Sequence, residues 1–169
     1  PRSCSSAASD VYKRQRKGSV VIQRHSMKIK GKEYCKWIDD NYLMIGKAYF
    51  YKGEFDEALK TFLFIVDEFK KTETAYEAKI FALRTYSEKN DFLACEGVIT
   101  ELNKKRTLNK KTKLLKHSSI ADCYLKQQNY SLATDELKEC IKLSNKKQAS
   151  RFKYLSLIHI SEPTRRTVI

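Results

Sequence analysis

The stretch from Trp37 to Val66, WIDDNYLMIGKAYFYKGEFDEALKTFLFIV, restricts the fold of this chain more than any other. Its apolar and small residues recur at three- and four-residue spacing on both sides of Lys52-Gly53, a pattern typical of two amphipathic helices joined by a tight turn. Gly53 can adopt the left-handed backbone conformation that ends a helix. Gly46 and Ala58 leave room where two helices cross closely. The sequence therefore predicts an antiparallel helical hairpin.

The pattern of this hairpin returns twice along the chain. Tyr86, Asn90, Phe92, Cys95 and Ile99 stand 37 residues after Tyr49, Gly53, Phe55, Ala58 and Phe62, and Tyr124, Gln128, Tyr130, Ala133 and Leu137 stand 38 residues further on. We therefore predict three hairpins, at about residues 35–69, 75–102 and 112–143, and the start of a fourth at 146–154. Stacked hairpins that bury each other's faces form an all-α fold of the α-solenoid type.

The register of these positions resembles the tetratricopeptide repeat (TPR). In the first hairpin the resemblance rests on seven positions. They are an apolar residue followed by a small one, an aromatic three later, a turn glycine, a second aromatic, an alanine and a bulky apolar residue: Ile45, Gly46, Tyr49, Gly53, Phe55, Ala58 and Phe62. The packing counterparts in the later hairpins are Tyr86, Phe92, Cys95, Tyr124, Tyr130 and Ala133. Since a TPR has about 34 residues, we expect the additional residues to lie between hairpins, in 70–74 and 103–111.

Both ends of the chain match translated sequencing adapters. Residues 5–15, SSAASDVYKRQ, and 155–165, LSLIHISEPTR, are what the two adapters of a transposase-based sequencing library encode. Segments of this origin have to be set aside before a fold is predicted. We therefore expect residues 1–15 and 155–169 to be non-native, and residues 16–154 to be a TPR domain fragment of a longer protein. Within that fragment, residues 16–27 are expected to be a partial helix that caps the hairpins.

The chain is strongly basic, with 34 Lys and Arg against 20 Asp and Glu and a formal net charge of +14. Positive charge is concentrated in residues 103–116, NKKRTLNKKTKLLK, which contain no acidic residue. Such a run is usually a solvated loop and helix start. The other interpretation is a patch in residues 104–116 that binds nucleic acid or another anionic surface.

No residue pattern predicts catalysis. Cys35, Cys95, Cys123 and Cys140 lack the spacings that zinc sites need, and we expect them to be small core residues. His117 lies in a predicted helix without an obvious nucleophile nearby, and Gly-rich phosphate loops are absent. We therefore predict a chain that is not an enzyme and that has no catalytic residue, cofactor or metal. No run of about 18 apolar residues precedes the second adapter segment, so we expect no membrane span.

A binding groove is the remaining candidate site. In TPR proteins the first helix of each hairpin lines a concave groove that binds peptide or protein segments, and the resemblance implies the same here. The corresponding offsets carry Asp40, Leu43, Lys47, Phe50 and Tyr51, then Glu77, Ile80, Arg84 and Glu88, then Leu115, Ser118, Asp122 and Lys126. The predicted binding residues among them are Lys47, Phe50, Tyr51, Arg84, Glu88 and Asp122. Such a set can anchor an apolar side chain of the partner and form an ion pair with an acidic one. The alternative is that these residues are solvated helix positions.

A longer run, SVVIQRHSMKIKGKEYCKWIDDNYLMIGKAYFYKGEFDEAL, resembles the N-terminal TPR region of the SprE/PorW lipoproteins of type IX secretion and gliding motility. The segments IQRHSM, KGKEY and WIDDNYLMIGKAYFYK carry the resemblance. It implies a non-catalytic scaffold on the periplasmic face of the outer membrane, with protein or peptide partners from the secretion machinery and a lipid anchor outside this fragment. The alternatives are a cytosolic TPR adaptor and anionic-surface binding through residues 104–116. The cysteines count against an oxidising compartment, where unpaired thiols are usually disfavoured.

Overall fold

The computed structural model describes residues 38–70, 72–104, 108–146 and 148–156, and within these ranges the chain forms helices and turns without a strand. This confirms the predicted all-α class. The helices are α1 (Ile38–Lys52), α2 (Phe55–Glu68), α3 (Glu73–Glu88), α4 (Phe92–Lys104), α5 (Lys110–Lys126) and α6 (Tyr130–Leu143). Residues 148–156 are helical as well. Four predicted features lie outside the described residues: the partial helix at 16–27, Cys35, Trp37 and the whole adapter segment 1–15. Of the second adapter segment, residues 157–169 lie outside them.

Two compact units divide the chain, Pro1–Lys89 and Asn90–Ile169. The first unit contains α1, α2 and α3, and the second contains α4, α5 and α6. The boundary falls inside the predicted second hairpin, and each unit is described by itself.

Side-chain caps fix where most of the helices begin. The side chains of Thr72, Asn109 and Asn129 accept hydrogen bonds from the backbone N–H groups three residues on, those of Ala75, Thr112 and Leu132. Asp91 Oδ1 accepts from Ala94 N at 3.2 Å in the same way. Each bond satisfies one of the N–H groups that the first turn of a helix leaves without an intrahelical partner.

The residues that follow the ends of α1, α3 and α5 share one backbone conformation. Gly53, Asn90 and Gln128, which the sequence pattern makes equivalent, have φ values of 87°, 59° and 60°. After Gly53, the N–H of Glu54 donates to Tyr49 O at 3.0 Å, and after Gln128, the N–H of Asn129 donates to Tyr124 O at 2.9 Å. A left-handed residue followed by this bond to the carbonyl five residues back is the Schellman ending of a helix.

In the first unit, α2 packs antiparallel against both α1 and α3. The crossing of α1 and α2 is close at Gly46, where a Cβ atom would lie 2.5 Å from Cε1 of Phe62. Phe62 is fully buried, as is Ala58 one turn earlier. The Phe62 ring also contacts Phe81 of α3, with a centroid separation of 5.6 Å. Phe62 therefore joins all three helices of the unit.

In the second unit, α5 packs against α4 and α6. The residues equivalent to Ala58 are Cys95 and Ala133, and both are buried. Leu102, Ile120 and Leu137 fill the remaining core. Helices therefore pack through small residues at equivalent positions in both units, as expected where helix axes approach closely.

Candidate protein-binding surface

The first helices of the first and second predicted hairpins, α1 and α3, lie side by side. Their contacts run in the same direction: Thr74 Oγ1 donates to Asp40 Oδ1 at 3.4 Å, and the rings of Phe50 and Phe81 meet further along with centroids 6.1 Å apart. The two helices are therefore parallel. Phe50 and Phe81 are buried, with exposed fractions of 8% and 4%.

Two cations lie over this aromatic pair. Lys47 Nζ is 4.8 Å from the centroid of Phe81, and Arg84 Cζ is 5.2 Å from the centroids of both Phe50 and Phe81. A cation over an aromatic face at such distances contributes about 0.5–1 kcal/mol at exposed sites. We call these residues, together with Glu77, the Arg84 cluster: Lys47, Phe50, Glu77, Phe81 and Arg84.

Glu77 neutralises one of the two cations. Lys47 Nζ donates to Glu77 Oε1 at 2.6 Å, and both side chains are about 30% exposed. An ion pair as accessible to water as this one contributes less than about 1 kcal/mol to stability, so its main effect is to hold Lys47 in place. The cluster keeps one net positive charge, and the structure describes no carboxylate ion pair for Arg84. The surface can therefore accept an acidic group beside an apolar floor.

The other predicted groove residues of the first unit lie at different depths. Tyr51 is 61% exposed and its ring contacts Phe50 with centroids 5.4 Å apart, while Glu88 is exposed at the end of α3. Leu43 and Ile80, expected to face the groove, are buried instead. Both are large aliphatic side chains, which are stabilised by leaving water. Of the predicted apolar anchors, Tyr51 is accessible and Phe50 forms the floor beneath Arg84.

Asp122, the position equivalent to Lys47 and Arg84, is exposed on α5 in the second unit. Among the other second-unit positions expected to line the groove, Lys126 is exposed and Leu115 and Ser118 are half-buried. Of the positions predicted to line the groove in this unit, Asp122 and Lys126 are thus accessible, and both lie on the last two turns of α5.

Two members of the Arg84 cluster, Glu77 and Phe81, were not among the predicted binding residues. The prediction compared positions 37 residues apart, but the observed partners are 30 to 34 residues apart, as in Lys47 with Glu77 and Phe50 with Arg84. Helix α3 is therefore shifted along its axis, by about one helical turn or more, from the position that a repeat of 37 residues predicts. A search for opposite charges at those shorter separations finds Glu77 from the sequence.

A polar contact set joins the three helices of the second unit. Lys116 Nζ of α5 donates to Asn103 Oδ1 of α4 at 3.1 Å, and the Lys116 side chain is buried although it belongs to the basic segment. Burial lowers the pKa of Lys116. On the next residue, His117 Nδ1 lies 2.6 Å from Glu136 Oε2 of α6. Lys116 therefore does not add to an exposed basic patch.

Three cysteines of the second unit are buried and not in a disulfide: Cys95, Cys123 and Cys140. The hydrogen bond between the Cys95 and Cys123 side chains, together with burial, raises the pKa of Cys95. Burial raises the pKa of Cys140 to about 12. Because thiolates are the reactive form of cysteine, Cys95 and Cys140 are poor nucleophiles in the folded state.

Within the described residues, no three His, Cys, Asp or Glu side chains are grouped so that they could hold a metal ion. In the same part of the chain, no helix combines the length and apolar character that crossing a membrane requires. No family model matches the chain, and no curated protein matches it at a significant level.

Proposed function

We propose that this chain is a non-catalytic TPR scaffold that binds protein or peptide partners, and that it acts in type IX secretion and gliding motility. The observation that carries the binding part is the Arg84 cluster, because it places a guanidinium and a lysine beside the accessible ring of Tyr51 on two parallel helices. A peptide with an acidic and an apolar side chain complements such a surface. The recurring left-handed turns at Gly53, Asn90 and Gln128 support the TPR assignment.

Peptide binding can be measured without knowing the natural partner. A random peptide library is selected on the immobilised chain, and the dissociation constants of the enriched peptides are measured by fluorescence anisotropy. In the double variant Lys47→Glu, Arg84→Glu both cations become acidic, so we expect at least about tenfold weaker binding, or about 1.4 kcal/mol. Helicity by circular dichroism should not change, because both side chains lie on the surface of the unit.

The matched control makes the same change of charge away from the cluster. Lys60→Glu with Lys138→Glu alters two exposed lysines that pair only within their own helices, with Glu57 and Asp135. The dissociation constants of the selected peptides for this variant should stay within about twofold of those for the unchanged chain. That result would show that the loss of affinity in the first variant is local to the Arg84 cluster. The proposed binding surface would be wrong if both variants bound the peptides equally weakly. It would also be wrong if the Lys47→Glu, Arg84→Glu variant bound them as tightly as the unchanged chain.

The cellular role rests on the resemblance of residues 19–59 and is tested in the source DNA. A long sequencing read across both junctions should show the frame continuing upstream to a signal peptide with a lipid-accepting cysteine, and downstream into further hairpins. An open frame without a signal would leave a cytosolic TPR adaptor. Adapter-like ends found in the genome itself would show that residues 1–15 and 155–169 are native.

Anionic-surface binding is the second candidate function. It is favoured by Lys104, Lys110 and Lys111, which are exposed at the end of α4 and the start of α5. The start of a helix carries the positive end of its dipole, which adds to the attraction for an anion. Lys116, by contrast, is buried against Asn103 and cannot contribute.

A further inference from the structure

Three members of the Arg84 cluster follow one stripe of α3. Glu77, Phe81 and Arg84 are four and then three residues apart, a spacing that places them on the same face of the helix. The rise of an α-helix separates Glu77 from Arg84 by about 10 Å along the axis. A peptide that lies along this stripe therefore meets a carboxylate at one end and a guanidinium at the other.

Lys47 of α1 reaches the carboxylate end of the stripe. Its Nζ lies 4.8 Å from the centroid of the Phe81 ring and donates to Glu77 Oε1 at 2.6 Å. A carboxylate of a bound peptide at this point has to compete with Glu77 for the one ammonium group, and Glu77 repels it. Arg84, whose Cζ is 5.2 Å from the same ring centroid, is the cation that can accept a peptide carboxylate without such competition.

A further carboxylate lies beyond Glu77, toward the start of both helices. Asp40 of α1 is exposed and accepts a hydrogen bond from Thr74 Oγ1 at 3.4 Å, and Thr74 precedes Glu77 by about one turn of α3. The surface formed by α1 and α3 is thus acidic toward the start of the helices and cationic at Arg84. Like charges that face each other across an interface disfavour a partner, so this polarity selects among peptides.

We propose that Glu77 is a specificity-determining residue, which restricts the ligand to peptides with an acidic side chain at Arg84 and no second acidic side chain about 10 Å away. That distance spans three residues of an extended peptide. Glu77 excludes the second acidic side chain because it pairs with Lys47. This inference rests on the proposed peptide-binding function and adds the charge pattern of the partner to it.

The test uses the full chain and a selected peptide that contains one acidic residue. Aspartate is placed at each other position of this peptide in turn, and the dissociation constants are measured by fluorescence anisotropy. For the unchanged chain, an aspartate three residues from the acidic residue should weaken binding by about two- to fivefold, as expected for a partly exposed charge pair. In Glu77→Gln the same aspartate should strengthen binding by a similar factor, because Lys47 is released to pair with it.

Two further variants assign the effect to Glu77 and Lys47. Glu57→Gln is the matched control, since it removes the same charge from a glutamate of α2 that also pairs with a lysine, Lys60. The second aspartate should remain unfavourable in this control. Adding Lys47→Met to Glu77→Gln should abolish the gain, because no ammonium group is left to receive the second aspartate.

The outcomes separate this inference from the function beneath it. If the second aspartate affects the unchanged chain and Glu77→Gln equally, or if the unchanged chain selects peptides with two acidic residues at this spacing, Glu77 does not set the specificity. The binding surface at Arg84 would stand in either case. Selected peptides that bind the Lys47→Glu, Arg84→Glu variant undiminished would overturn both the proposed function and the role of Glu77.

Discussion

Single glycines show how much a residue depends on its surroundings. Gly46 and Gly97 both lie inside helices, and neither has a positive φ. A Cβ at Gly46 would lie 2.5 Å from a ring atom of Phe62, but a Cβ at Gly97 would meet nothing within 4 Å. The same substitution should therefore have opposite effects at the two positions.

Gly46→Ala should destabilise the protein by about 1–3 kcal/mol, because the fully buried Phe62 has no room to move aside. Gly97→Ala should stabilise it by up to about 1 kcal/mol, since alanine loses less backbone entropy than glycine in a helix. Both values come from urea unfolding followed by circular dichroism. A gain in stability for Gly46→Ala comparable to that of Gly97→Ala would show that α1 and α2 do not cross closely at this point.

At the scale of the helical hairpin, the turn residue decides how easily a first helix ends. Gly53, Asn90 and Gln128 share the left-handed conformation, but glycine alone adopts it without a steric cost. Nothing lies within 4 Å of a Cβ at Gly53, so the cost of a larger residue there is conformational and not a clash. Glutamine is not one of the residues that tolerate this conformation well, unlike asparagine.

Gln128→Gly should therefore stabilise the second unit by about 0.5–1 kcal/mol, because the left-handed strain is larger than the added freedom of the unfolded chain. The neighbouring Gln127 has a φ of −73°, so Gln127→Gly is the matched control and should destabilise. In the first hairpin, Gly53→Ala should cost about 1 kcal/mol, and Gly53→Asn less. Urea midpoints of the four variants check the order; a stabilising Gln127→Gly would show that the gain has another cause.

The helices were predictable because their determinants are local in sequence. The spacing around Gly53 and the caps at Asn109 and Asn129 involve residues within one helix or turn. The Arg84 cluster depends instead on how far α3 is displaced along α1. That displacement is set by the packing of Phe50 against Phe81, which a fixed repeat offset does not contain. Leu43 and Ile80 were also expected at the surface, and both are buried.

For the whole molecule, the net charge of +14 has to be separated from any specific anionic site. A strongly basic chain attracts nucleic acid through long-range Coulomb forces even when no surface is built to hold a phosphate. Such attraction depends on the number of charges, whereas a phosphate-tracking site depends on where they lie. Two triple variants distinguish the cases. Each replaces three exposed lysines by serine, so both lower the net charge by the same amount.

The first triple variant is Lys104→Ser, Lys110→Ser, Lys111→Ser, in the basic segment. The matched control is Lys60→Ser, Lys138→Ser, Lys142→Ser, at exposed lysines that pair with acids three residues earlier. If the chain is a protein-binding scaffold, the salt concentration that elutes each variant from immobilised single-stranded DNA should fall equally, because only net charge has changed. An elution shift confined to the first variant, with a shallower dependence of affinity on salt, would instead establish an anionic site at the junction of α4 and α5 and displace the scaffold as the leading function.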